Sequence, residues 1–210
     1  MIARSMNQRN QQFIFSAVGR AFAALSHRWR SAVAGASFAT IVAFVPVAAA
    51  NAPPIEYQVK AAYLSKLGNF VQWPEESDAR APDHAIICIL GNDPFGDFLD
   101  KAVEGRTIGD RTIVVQRIAK FGASGVKPCK ILYTSETDPK RISEVLDATQ
   151  GQHVLTVGDG RGGGDSSPVI TFVLKNNNVR FEIDQKAAAE NGLTISSQLL
   201  ALAVEVRPAR

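Results

Sequence analysis

The first 50 positions contain no aspartate or glutamate, and the full chain of 210 residues holds only three histidines and two cysteines. These shortages exclude much chemistry. His27, His84 and His153 lie far apart, and no cysteine or carboxylate stands beside them at metal-ligand spacing, so the sequence offers no metal site. No serine occupies a G-x-S-x-G elbow, which leaves acyl transfer without a nucleophile. Ser196 and Ser197 fit a helix start, where capping is their expected job. Asp159 and Asp165 put two carboxylates in one glycine-rich loop, yet nothing around them in sequence raises a pKa for acid–base work. The residues therefore read as those of a protein that is not an enzyme and carries no cofactor.

Nucleic acid is excluded by where the positive charge lies. Arg4, Arg9, Arg20, Arg28 and Arg30 are unopposed; removing these five from the 23 basic residues leaves 18 against 20 acidic ones, a formal charge of −2 over residues 51–210. The basic pI belongs to the leader, and the body has no surplus of cations for phosphate neutralisation. A hydrophobic share of 46% and a charged share of 20% argue for a folded body, and the length suits one domain.

From Ser31 to Ala50 the chain is apolar and uncharged, directly behind Arg28, Trp29 and Arg30, which is the order of an export signal. Ala48 and Ala50 place small residues before a cut between Ala50 and Asn51, the expected cleavage site. The same run is long enough to span a bilayer, so an uncleaved anchor is the competing reading; Gly35, Thr40 and Pro46 weaken it. The long stretch ahead of the run points to Met6 as an alternative start. Both readings place residues 51–210 outside the cytoplasm, in the periplasm.

Within that body, Val59, Tyr63, Leu67 and Phe70 recur at helical spacing, predicting a helix from Ile55 to Trp73 that Pro74 ends. Residues 84–90 are an apolar run closed by Gly91 and read as a buried strand. Asp93-Pro94 predicts a helix to Glu104 burying Phe95, Phe98, Leu99 and Ala102. Strands follow at 112–118 and 129–135. Asp138-Pro139 caps a helix to Ala148 with Ile142, Val145 and Leu146 inward, and 153–157 is a fourth strand. After Pro168, two β-rich arms around Asn176-Asn177-Asn178 predict a hairpin with Val179, Phe181 and Ile183 buried and Arg180, Glu182 and Asp184 wet. A helix from Thr194 to Glu205 closes the chain, with Ile195, Leu199, Leu200, Ala203 and Val204 on one stripe. The order predicts a single α/β domain: a mixed sheet flanked by helices, with a C-terminal hairpin and closing helix.

Gly158-Asp159-Gly160-Arg161-Gly162-Gly163 fits G-x-G-x-x-G, but Ser166, Ser167 and Pro168 lead into a strand where a phosphate site needs a helix N-terminus. The loop is read instead as a surface turn needing glycine's backbone freedom. Cys88 and Cys129 each lie in or at the start of a buried strand of an exported domain; a disulfide or two buried, inert thiols both fit.

Several segments in this order carry a resemblance. They are Lys60-Ala61-Ala62-Tyr63-Leu64 running into Phe70-Val71-Gln72-Trp73-Pro74, then Cys88-Ile89-Leu90-Gly91, Glu104-Gly105-Arg106, and Cys129-Lys130-Ile131-Leu132-Tyr133. His153-Val154-Leu155-Thr156-Val157, Val179-Arg180-Phe181-Glu182-Ile183-Asp184 and Ile195-Ser196-Ser197-Gln198-Leu199-Leu200 complete the set. Over residues 55–207 the chain resembles the YfiR family of small exported proteins. The resemblance implies a periplasmic, non-catalytic regulator, working as a homodimer, that represses a membrane-bound diguanylate cyclase by binding its periplasmic domain and so lowers cyclic di-GMP and biofilm growth. It also implies disulfide chemistry. Cys88 and Cys129 match one of the family's cysteine pairs, whereas residues 158–166 and the strand after them lack the cysteines of a second pair, so redox control through that pair does not carry over. Phe70, Trp73, Phe181 and Leu199 are expected in the core rather than at a partner surface.

Overall fold

In the computed structural model the described residues are 54–74, 83–120, 129–163 and 166–209. The chain divides into two units, residues 1–48 and 49–210. The predicted signal, with Ala50 and Asn51 at its cut, lies outside the described residues, as does Asp165.

Continuous apolar runs form the middle of the sheet because both of its faces are covered. These strands are β2 (Ala85–Leu90), β5 (Cys129–Thr134) and β6 (Leu155–Gly158), and β4 (Arg111–Ile118), of which only Ile113 and Ile118 are buried, runs parallel to them beside β2. The hairpin arms β7 (Ile170–Lys175) and β8 (Asn178–Asp184) are joined through Asn176 and Asn177, both at positive φ (52° and 58°), the left-handed pair that a tight hairpin turn demands. Two short strands, β3 (Thr107–Ile108) and β10 (Glu205–Arg207), complete a mixed eight-stranded sheet in the order β10-β8-β7-β6-β5-β2-β4-β3. A separate antiparallel pair joins β1 (Val71–Gln72) to β9 (Thr194–Ile195). Five α-helices lie among the described residues: α1 (Ile55–Leu67), α2 (Asp97–Val103), α3 (Pro139–Thr149), α4 (Gln185–Glu190) and α5 (Ser197–Leu202). The expected α/β domain is the one observed.

The period-2 geometry of each strand sends alternate residues to opposite faces. Ile87, Ile89, Ile131, Tyr133, Leu155 and Val157 meet Ala61 and Leu64 of α1 and Leu99 and Val103 of α2 in the larger core. Cys88, Leu90, Cys129 and Leu132 meet Val145 of α3 on the other face. Cys88 and Cys129 form a disulfide between neighbouring strands, with Cα atoms 5.7 Å apart, which settles the choice the sequence left open.

Several boundaries differ from the sequence expectation, each for a tertiary reason. The first helix stops at Leu67, where a 3₁₀ turn (Gly68–Phe70) leads into β1. A Cβ at Gly68 would stand 2.3 Å from Ile108 Cδ1, so the chain passes β3 at a distance only glycine permits. The buried stripe of α1 is Lys60, Ala61, Leu64, Ser65 and Leu67, and Val59 is exposed. Asp93 caps a turn, accepting from Phe95 N at 2.8 Å, but Gly96 at φ 52° intervenes and α2 begins at Asp97 with Phe98 outward. Leu146 is only half-buried, and His153, at φ 58°, precedes rather than opens β6.

The expected helix from Thr194 to Glu205 is three elements. Thr194 and Ile195 pair with β1, Ser196 Oγ caps the six-residue α5 by accepting from Leu199 N, and residues 205–207 run parallel beside β8. Ile195 and Leu199 lie in the larger core with Leu200 and Ala203 packed against it, whereas β10 is largely exposed, so the helical spacing reflects only the first two pieces. Asp184, expected wet, is buried and caps the unpredicted α4 through Ala187 N at 3.0 Å. Phe181 and Leu199 are buried as expected, while Phe70 and Trp73 are half-buried.

The disulfide closes a 41-residue separation. Replacing both cysteines by serine should lower stability by about 3–4 kcal/mol on the chain-entropy account, measured by urea unfolding with and without reductant. Identical curves for the oxidised, reduced and serine forms would contradict the bridge.

Candidate functional site

The connections after β2 and β5 leave the sheet on opposite faces. Phe95, Leu99 and Val103 after β2 join the larger core, whereas Val145 after β5 joins the smaller one. In an open parallel sheet, neighbouring strands whose connections diverge in this way create a crevice outside their carboxyl ends. A cleft of about 480 Å³ opens there, floored by Leu90, Ala119 and Val145 and walled by Lys120, Glu136, Arg141 and Glu144. Ser135 Oγ donates to Asn92 O at 3.0 Å, tying the two divergent loops together across its edge.

Two polar clusters fix the walls. Arg117 on β4 donates to Asp93 (2.7 Å), to Asp100 (2.6 Å) and to Gly96 O (3.0 Å), so one guanidinium holds the loop after β2 and the first turn of α2. Its hydrogen bonds hold the Asp100 carboxyl below the usual range, and those to Asp100 and Asp93 raise the guanidinium in return. Glu136 accepts from the backbone N–H groups of Asp138 and Thr137 at 3.1 and 3.0 Å and pairs with Arg141 at 3.3 Å, and its pKa is lowered accordingly. The Asp138 side chain caps α3 through Lys140 N and Arg141 N, as its Asp-Pro signature predicts.

The most buried charge lies beside the carboxyl ends of β5 and β6. Lys60, its side chain 4% exposed, reaches from α1 to Asp159 at 2.9 Å and to Glu56 one turn back. Asp159 also accepts from Tyr133 Oη at 2.8 Å, while the Lys60 ammonium stands 4.6 Å from the centre of the Tyr57 ring. Burial alone would depress the Lys60 pKa; the hydrogen bonds to Glu56 and Asp159 outweigh it and raise the pKa above the ordinary lysine value. Burial and the Asp159 charge push the Tyr133 phenol far above the tyrosine range. A lysine and a tyrosine that both hold their protons in this way act as ties, not as acid and base.

The remaining sequence-marked residues separate. His84 Nδ1 meets Thr112 Oγ1 at 2.7 Å and His153 Nδ1 meets Asn191 O at 3.0 Å. Among the described residues no group of three or more His, Cys, Asp or Glu is arranged to hold a metal. The glycine loop does run into a strand, β7, but its described glycines are not at positive φ, and Gly158, Gly160 and Gly162 stand where a side chain would be crowded. A Cβ at Gly162 would stand 2.8 Å from Ser143 Oγ, and Gly163 N donates to that same oxygen at 3.0 Å. Sequence reasoning put Asp159 in that loop but missed its partners Lys60 and Tyr133, and missed Arg117 as the partner of Asp93 and Asp100. A lysine within an otherwise apolar helix stripe was the available signal for Lys60.

Among the described residues no helix is long and apolar enough to cross a membrane. The fold and site together define a disulfide-stapled single α/β domain with charged clusters tying its elements around a switch-point cleft. The chain belongs to the YfiR/HmsC-like family, whose model matches residues 57–204. A comparison with curated proteins finds no match.

Lys60→Met would leave Asp159 and Glu56 without their cation and should destabilise the fold by about 3–5 kcal/mol. Lys60 and Tyr133 both bind protons more tightly folded than unfolded. Their contribution is therefore complete below about pH 10 and lost as pH rises through the folded pKa values. Denaturant titrations between about pH 8 and pH 11 should show stability falling with pH in the parent and falling less steeply in Lys60→Met; parallel profiles would remove Lys60 from this role.

Proposed function

We propose that the protein is an exported, non-catalytic regulator that represses a membrane-bound diguanylate cyclase by binding that enzyme's periplasmic domain. The observation that carries this reading is the YfiR/HmsC-like match over residues 57–204. The disulfide between Cys88 and Cys129 supports export, because oxidising compartments let such bridges form and persist. In this reading residues 31–50 deliver the chain to the periplasm, cleavage falls between Ala50 and Asn51, and the working form is a homodimer without cofactor. Intact-mass measurement of the periplasmic protein tests the cut, with Asn51 the expected first residue; retention of residues 31–50 in the membrane fraction would favour the anchor.

A second reading, a periplasmic small-molecule binding module acting on a membrane receptor, is favoured by the cleft at the switch point. The two are separated by measuring cyclic di-GMP in cells lacking the protein and in the same cells expressing the full chain. Repression predicts a rise on deletion that the full chain reverses, and recovery of a cyclase in membrane pull-downs. Unchanged cyclic di-GMP, together with a ligand that co-purifies and raises the melting temperature, would select the binding module.

A further inference from the structure

At the amino ends of the central strands, the far end of the sheet from the cleft beside Glu136, lies another cavity, of about 580 Å³. Its base is apolar: Gly68, Val71, Ala85 and Ile108 are buried there, and the missing Cβ of Gly68 lets the turn after α1 close against Ile108. One wall is β1 with Trp73, whose Nε1 donates to His153 O at 2.9 Å; the other is the β3–β4 hairpin with Asp110 and Arg111. Two cations reach this base from the same face of the sheet. Arg111 lies two residues before Ile113 of the larger core, so the period of two puts its side chain on that face. Lys130 arrives by a different route. Ile86 pairs with Cys129 and Ile87 with Ile131, so Lys130 is the extra residue of a β-bulge, a device that re-aims a side chain. Its ammonium stands 4.5 Å from the centre of the Trp73 ring, which packs against the larger core. Between the two strands runs β2, which contributes only the small Ala85, and strands two apart are separated by about 10 Å. The two long side chains therefore flank one small apolar floor, and both are half-buried.

Guanidinium and ammonium groups carry several N–H donors each, so both cations can serve a ligand besides their contacts within the chain. Residues 51–210 carry a formal charge of −2, yet among the described residues two cations and a single carboxylate, the exposed Asp110, line this cavity. An apolar base beneath local positive charge favours an anion with a compact apolar body over a bare inorganic ion, whose desolvation against Val71, Ala85 and Ile108 nothing would offset. We propose that this cavity binds a small organic monocarboxylate, its apolar body over Ala85 and Ile108 beside the Trp73 ring and its carboxylate between Arg111 and Lys130. The site is separate from the cleft at the carboxyl ends and independent of cyclase repression, so its failure would leave both of those readings in place.

Trp29 and Trp73 are the only tryptophans, so in purified protein carrying Trp29→Phe the indole emission reports on this cavity alone. The test is a fluorescence titration with cyclohexanecarboxylate at constant ionic strength, set beside uncharged cyclohexylmethanol and inorganic phosphate. The expected result is a saturable change with the carboxylate only. Affinity should be about tenfold weaker in Arg111→Gln, about twofold tighter in Asp110→Asn, and unchanged in Lys120→Gln at the other end of the sheet. Should Arg111→Gln melt below the parent, calorimetric titration of Lys130→Gln takes its place, with the same weakening expected. Absence of saturation up to about 10 mM carboxylate, equal affinity in the cation variant and the parent, or equal binding of cyclohexylmethanol or phosphate overturns the proposal.

Discussion

The packing of α1 against the sheet depends on a single buried ammonium. Lys60 enters a slot lined by Tyr57 and Phe172 and ends on Asp159, at the carboxyl end of β6. Aromatic contacts bracket it: Tyr57 against Phe95 and Phe95 against Tyr133 on one side, Tyr63 against Phe172 and Phe181 on the other. A charge in such surroundings is tolerated only when paired, so the ion pair fixes the rotation and height of the helix. The displaced stripe follows from this: with Lys60 inward, Val59 turns out to solvent and Ala61 lies against the sheet.

The two faces of the sheet differ in how they are held. The larger core relies on apolar area and aromatic contacts beneath α1 and α2. The smaller core has few members, and the covalent bond between Cys88 and Cys129 lies within it. A domain of this size has enough apolar surface to fold, so the bridge reinforces the thinner side. The cleft lies where the two faces exchange connections, with Arg117 and the Glu136–Arg141 pair fixing its walls. The loops around this cleft are held by such ties, because loops otherwise take many conformations.

Much of this architecture was legible in the chain. Residues 84–90 and 129–135 read as buried strands because both of their faces are covered, and Asn176-Asn177 announced the hairpin because few other residues adopt two successive left-handed conformations. Asp138-Pro139 gave the start of α3 through a cap that operates within a few residues. What could not be read depends on distant partners. Thr194 and Ile195 belong to a strand only because Val71 and Gln72 lie beside them, and Gly68 has no room for a side chain only because Ile108 stands against it. The candidate site was half legible: Asp159 stood out as a carboxylate in a glycine loop, but its partners Lys60 and Tyr133 are 99 and 26 residues away.

The disulfide joins β2 to β5 in the interior of an eight-stranded sheet, with edges at β10 and β3. Strands at a sheet's margin open at low free energy, while central ones open only with the whole domain. With its middle closed covalently, the sheet can loosen by peeling from either side without parting at the centre. β10 and β3, the short strands at those margins, are the parts free to open first, while β7 and β8 stay packed against α1 through Phe172 and Phe181. Amide exchange in this protein would consequently be graded from the margins inward, with β10 and β3 on the fast side of that gradient.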